Sequence, residues 1–166
     1  MRVLLVRHAI ATDRDRFRGP DGERPLTAEG IRRFRRGARA LADLVPELEL
    51  VCSSPLVRAR QTAELLVAAH PARPLLAEAI ELAPGGSAAA AFELVRAQKG
   101  VATSALVGHE PGLSRLEGYL LTGREGSLAE LRKGGVALLD FPGRLAPGRA
   151  VLVWHLTAGQ LRRLAP

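Results

Sequence analysis

Apolar residues along this chain fall into short unbroken runs, separated by longer stretches in which apolar and polar positions recur at helical spacing. Residues 2–6, RVLLV, form a β-branched and leucine run that predicts a strand buried on both faces. LELVCS at 48–53 and TSALVG at 103–108 predict further buried strands, and RPLLA at 73–77 a short one. In residues 26–45, LTAEGIRRFRRGARALADLV, the period changes: Ile31, Phe34, Ala38, Leu41 and Val45 recur at three and four, one apolar stripe on a helix. Ser54-Pro55 predicts the start of a second helix, a capping hydroxyl followed by proline in the first turn, and His70-Pro71 ends it. GGSAAAAFELVRAQ and EPGLSRLEGYLL predict two more helices; GGVALLDF at 134–141 and RAVLVWHL at 149–156 predict closing strands joined by a Pro/Gly turn. Strands alternating with helices imply an α/β fold with a largely parallel central sheet. No repeat or linker interrupts the pattern, so one domain over 1–166 is expected. One stretch fits neither period. TDRDRFRGPDGERP, 12–25, is charged, punctuated by Gly and Pro, and long for a loop; such loops are often functional.

Composition narrows the class. With 47% hydrophobic and 25% charged residues in 166, the chain is neither disordered nor membrane-like. The first apolar run is too short for a signal peptide or a membrane span, so a cytoplasmic location is expected. A single cysteine, Cys52, excludes an internal disulfide and a cysteine-cluster metal site. The net charge of +7 comes almost wholly from arginine, with Lys99 and Lys133 the two lysines. An arginine excess suits phosphorylated or otherwise anionic partners. It is equally what an arginine-biased composition gives, so charge alone is a poor argument for nucleic acid.

Candidate chemistry collects at three strand ends: Arg7-His8, the segment from Cys52 to Arg58, and Gly108-His109. In an open parallel sheet the carboxyl ends of the strands share one edge, where the following helices also aim their N-termini. Two arginines, two histidines and those helix ends make an anion-binding edge, and a phosphoryl group is its natural occupant. Cys52 and Arg58 also satisfy C-x5-R, the spacing by which thiol phosphatases grip phosphate. The intervening residues do not suit such a loop: Pro55 has no N–H, and Leu56 and Val57 are bulky. Cys52 is therefore expected to be a small buried residue ending a strand, with Arg58 near the first turn of a helix.

These residues carry a family resemblance. LLVRHA resembles the RHG signature of the histidine phosphatase (phosphoglycerate mutase-like) superfamily. SSPLVRARQTA is similar to its S-x-L-x-R-A-x-Q-T element, and LVGHEPGLSRL resembles its second-histidine segment. RPLTAEG, GHEPGL and the short chain narrow the resemblance to SixA-like phosphohistidine phosphatases. The resemblance implies a phosphoglycerate mutase-like three-layer α/β/α sandwich and a phosphatase without metal or cofactor. His8 would be the nucleophile that takes the phosphoryl group, and Arg7, Arg58 and His109 would hold its oxygens. Ala9 stands where the signature has glycine. The general acid stays open: Glu81 falls near a glutamate of the SixA-like pattern, and Glu110 and Asp13 are rivals. The implied partner is a phosphorylated protein of the histidine-containing phosphotransfer type. A small sugar, nucleotide or α-ribazole phosphate is the alternative, and a phosphate-sensing or nucleic-acid-binding module without turnover is an alternative of another class.

Other polar residues have plainer readings. His155, beside Trp154 in an apolar strand, and His70, at a helix C-terminus, are expected to be structural. Ser53 and Ser54 are expected in turn and cap positions, since no G-x-S-x-G surrounds them. Arg32, Arg33, Arg35, Arg36 and Arg39 fall off the apolar stripe of their helix, which predicts a solvated face or a docking surface for an acidic partner. Arg24 and the 12–25 loop are free to lean over the strand-end site.

Overall fold

The strand at the N-terminus has two apolar faces, and it lies inside the sheet accordingly. In the computed structural model, which describes residues 1–165, β1 (Arg2–Arg7) sends Leu4 and Val6 to one face and Val3 and Leu5 to the other, all fully buried. Around it, β2 (Leu50–Ser53), β3 (Leu75–Glu78), β4 (Thr103–Gly108), β5 (Val136–Asp140) and β6 (Val151–Leu156) complete six strands in the order β3-β2-β4-β1-β5-β6. The first four of that order run parallel, and β5 and β6 are antiparallel additions. The sheet is mostly parallel, as the pattern implied.

Helices cover both faces. α1 (Ala28–Leu44), α2 (Val57–Ala69) and α5 (Ala158–Leu164) pack Phe34, Leu41, Leu66 and Leu161 onto Leu4 and Val6. α3 (Ala88–Arg96) and α4 (Gly112–Thr122) pack Phe92, Leu116 and Leu120 onto Val3 and Leu5. The result is a three-layer α/β/α sandwich. Thr27 caps α1 by accepting the Gly30 N–H at 2.9 Å, and the expected stripe is buried apart from Ile31 at its margin. No helix among the described residues is long and apolar enough to cross a membrane.

Two local expectations are corrected. The second helix begins at Val57 rather than at Ser54-Pro55, with Leu56 at its N-cap and no side-chain cap, because the Ser54 hydroxyl is engaged elsewhere. α5, which the hydrophobic pattern did not suggest, is held at its start by a capping box between Thr157 and Gln160.

Register decides what the sheet edge presents. Arg7 pairs with Gly108 and Ser53 with Val107, so the residues that follow, His8, Ser54 and His109, emerge side by side. The ladder continues one step beyond the strands: His8 N–H donates to Gly108 at 3.1 Å and Ser54 N–H to Val107 at 2.9 Å. Gly30 brings α1 against the same edge, since a Cβ there would collide with the carbonyl of Ile10.

Candidate active site

His8 and His109 meet at the centre of this edge with ring centroids 5.0 Å apart. Both are nearly buried, at 6% and 5% exposure. His8 Nδ1 lies 2.7 Å from the Ala9 carbonyl, an oxygen that can only accept, so Nδ1 carries the proton and Nε2 keeps its lone pair. Burial is the main force pulling the His8 pKa down to about 4; the Ala9 bond opposes it, and the charges of Arg58, Arg7 and Lys133 add to it. His109 is pulled to about 3, by burial first and then by His8 and Arg58. Near neutral pH both rings are uncharged.

Ser54 orients the second histidine. Its Oγ lies 2.9 Å from His109 Nε2 and accepts the Leu56 N–H at 3.4 Å. The hydroxyl has a proton to donate to Nε2 and a second lone pair with which to accept from it, so this contact fixes the ring's orientation and is compatible with either tautomer. The sequence suggested a helix cap here, and the hydroxyl serves the histidine instead.

α2 ties the arginine and the His8 segment together. Thr62 Oγ1 accepts the Ala9 N–H at 3.0 Å and donates to the Arg58 carbonyl at 2.7 Å. Gln61 Oε1 accepts the Leu26 N–H at 2.8 Å, anchoring the far end of the 12–25 loop. Arg58 itself is 4% exposed and donates to Asp21 twice, to its carbonyl at 2.8 Å and to Oδ2 at 3.0 Å. Asp21 also accepts from Arg24 Nε at 3.1 Å and lies 3.4 Å from Arg14. Desolvation works against its ionisation, but the Arg58 charge and the Arg24 bond hold its pKa below the usual carboxylate value. Arg24 reaches back to the Thr12 carbonyl at 2.7 Å, which braces the loop. Asp21 was missed in the sequence; its signal was the Asp21-x-x-Arg24 spacing inside a charged loop.

Arg7 donates to the Leu131 carbonyl at 2.6 Å and to Glu130 at 3.1 Å. Arg7 and Arg58 each retain a buried Nε without a protein partner among the described residues. Glu81, in a turn at Ile80–Leu82, lines one small cleft together with His109 and Ser87. Its rivals differ in their surroundings. Glu110 Oε1 accepts the Leu131 N–H at 2.9 Å and its Oε2 the Ser114 hydroxyl at 2.5 Å, so both oxygens are committed to holding α4 and the 131 segment. Asp13 is exposed and only its backbone carbonyl is engaged.

Cys52 points the other way. It is 2% exposed in the core beneath α3, and burial, reinforced by the Glu81 charge, pushes its thiol up to about 11. Burial and the raised pKa both disfavour a thiolate nucleophile. His70 bonds the Leu66 carbonyl at 2.9 Å, and His155 pairs with the buried Glu117 at 3.4 Å, both structural as expected. No group of three or more His, Cys, Asp or Glu among the described residues could hold a metal ion.

Residues 3–115 match the model of the histidine phosphatase superfamily (branch 1). The chain belongs to the histidine phosphatase superfamily. This histidine phosphatase is 37% identical over 139 residues to an uncharacterized protein of Picosynechococcus sp., covering 82% of each chain. Among solved structures it is similar to the protein histidine phosphatase SixA complexed with tungstate, with a TM-score of 0.84 at 25% identity over 97% of this chain and 99% of that one. Mycobacterial glucosyl-3-phosphoglycerate phosphatase shares the fold, with a TM-score of 0.73 at 17% identity over 94% and 99% of the two chains. Within the superfamily this histidine phosphatase lies on the SixA-like branch.

Proposed function

We propose that this histidine phosphatase hydrolyses phosphohistidine on a protein, through a phosphoryl group carried transiently on His8. The observation that carries the reading is the state of His8: neutral, fixed by the Ala9 carbonyl at Nδ1, and unprotonated at Nε2 in the field of Arg7 and Arg58. The Nε2 lone pair forms a bond to phosphorus as the bond to the leaving imidazole breaks, and that imidazole takes its proton from solvent or from a neighbouring acid. Water then attacks the phosphorus, the bond to Nε2 breaks, and inorganic phosphate leaves. Arg7 and Arg58 stabilise charge on the equatorial oxygens, and His109 donates a hydrogen bond to them. Arginine suits this task because its fork binds two oxygens and stays charged. Charge stabilisation is thus assigned to guanidinium groups and not to a metal, and chelators are expected to leave the rate unchanged.

Asp21 is a positioning residue in this reading, holding the Arg58 fork from the loop side. Glu81 is the general acid for leaving groups that need one. An imidazole departs more readily than an alkoxide, so a phosphohistidine substrate depends on Glu81 least. Likeness to SixA, whose structure is described as a protein histidine phosphatase, supports the protein substrate. A second reading, a small phosphomonoester, is favoured by Glu81 in the cleft beside His109.

The test is a pair of variants and a substrate comparison. His8→Ala should abolish p-nitrophenyl phosphate hydrolysis while Cys52→Ser retains it; loss with Cys52→Ser alone sinks the mechanism. A phosphohistidine protein should be turned over with kcat/KM above that of any phosphorylated metabolite in a panel. The reverse order would favour the second reading.

A further inference from the structure

Six guanidinium groups gather on the outer face of α1 and α5. Arg32, Arg33, Arg35, Arg36 and Arg39 come from α1, and Arg162 joins them because Leu161 packs beside Gly37 of α1. Together they line an open groove of about 500 Å³. Only Arg33 has a carboxylate partner, Glu29; the other five make no ion pair among the described residues. Arg32, Arg35, Arg36 and Arg39 stand three and four apart, where like charges destabilise a helix. A face kept merely soluble could intersperse acids and avoid that repulsion, so the fold itself gives no reason for this concentration of charge.

A second, small cleft shares Arg33 and Arg162 with the groove and is lined as well by Ala9, Gly30 and Lys133. Ala9 follows His8, and the Lys133 charge is felt at His8 itself. Lys133, Arg33 and Arg162 therefore stand around a cleft that abuts the residue after the proposed nucleophile, and the arginine face extends about 10 Å further along α1. The groove lining contains no aromatic side chain, so it offers no platform for stacked bases. Guanidinium forks match carboxylates in bidentate geometry.

We infer that the arginine face of α1 and α5 docks an acidic surface of the protein that bears the phosphohistidine, seating its phosphorylated side chain over His8. The inference rests on the phosphohistidine reading above and adds the recognition surface to it. Complementary charge of this kind speeds encounter and sets register more than it adds raw affinity.

Two synthetic peptides test it, each with one chemically phosphorylated histidine in about 12 residues, long enough when extended to reach from the site across the groove. One carries glutamates on both sides of the histidine, the other serines. The wild-type protein should show a KM roughly tenfold lower for the glutamate peptide at low salt, a preference that closes as salt screens the charges. Arg35→Glu/Arg36→Glu/Arg39→Glu should erase the preference while p-nitrophenyl phosphate kcat/KM stays within about twofold, and the glutamine triple variant should weaken it if the reversal impairs folding. Equal KM values in the wild type, or a preference that survives in the triple variants, overturns the docking face. Hydrolysis of p-nitrophenyl phosphate but of neither phosphopeptide would refute the substrate reading alone. Fluorescence anisotropy of the unphosphorylated glutamate peptide then decides the docking face: binding lost in the triple variant upholds it, and no binding overturns it. Tighter binding of a DNA duplex than of the glutamate peptide, lost in the same variant, overturns the acidic-protein occupant.

Discussion

The neutrality of His8 has a measurable cost in stability as pH falls. Its pKa is about 4 in the folded chain against 6.5 for the unperturbed imidazole, with burial the main cause. Between these values the unfolded chain binds a proton at position 8 that the folded chain refuses, so stability declines as pH drops. The contribution is fully present above pH 6.5, shrinks towards pH 4, and changes no further below it. From pH 7 to pH 5 the loss is about 2 kcal/mol at 1.36 kcal/mol per unit. His109 behaves in the same sense, so the test compares His8→Asn with the wild type and lets the shared part cancel. Urea unfolding, followed through the single tryptophan, Trp154, should show the wild type losing about 2 kcal/mol more than the variant over that interval. With an m-value of about 2 kcal/mol/M, this is a difference of about 1 M in midpoint shift. Parallel losses in the two proteins, or an imidazole NMR titration that half-protonates His8 near pH 6.5, would refute the reasoning. The functional corollary is direct: about nine in ten His8 rings remain neutral at pH 5, against about one in thirty for an unperturbed imidazole.

Asp21→Asn, which removes the charge that holds the buried Arg58, should lower stability by about 2 kcal/mol and kcat by roughly tenfold; wild-type kcat in a folded variant would mean that other contacts aim Arg58. Cys52→Ser should leave p-nitrophenyl phosphate turnover within about twofold while costing about 1–2 kcal/mol for a hydroxyl in an apolar core. In the wild type, alkylation by iodoacetamide at pH 8 should be slow, since about one thiol in a thousand is ionised there. Glu81→Gln should reduce hydrolysis of an alkyl phosphate by about 10²-fold, yet alter p-nitrophenyl phosphate and phosphohistidine rates less than about threefold, because their leaving groups need little acid help; equal losses on all three would assign Glu81 a structural part.

Legibility in the sequence followed the locality of the cause. β1 and β4 were readable because each is apolar on both faces, and α1 because its stripe runs over four turns. α5 escaped because it has seven residues and one buried side chain, Leu161, too little for a period; its Thr157-x-x-Gln160 cap was the available signal. His8 and His109 were legible as strand-end residues, since a parallel sheet brings such ends to one edge. Ser54 was misjudged because a hydroxyl before proline is a good local cap, while its shorter contact is to His109, 55 residues away. Asp21 looked like Asp13 and Asp15 until the fold set it against Arg58. That Glu110 is engaged by the Leu131 N–H, 21 residues on, was not visible in the local sequence.

The strand order also bears on how the protein is made. β4 lies between β1 and β2, so the two strands synthesised early have no ladder to each other until residues 103–108 enter between them. A nascent chain that has released β1 and α1 must wait for β4, at residues 103–108 of 166, before the sheet can close, with apolar edges exposed meanwhile. The same insertion gives His8 its companion ring. Assembly of the sheet centre and assembly of the reactive edge are therefore one event, and a chain cut before β4 would carry His8 but neither its buried setting nor its lowered basicity.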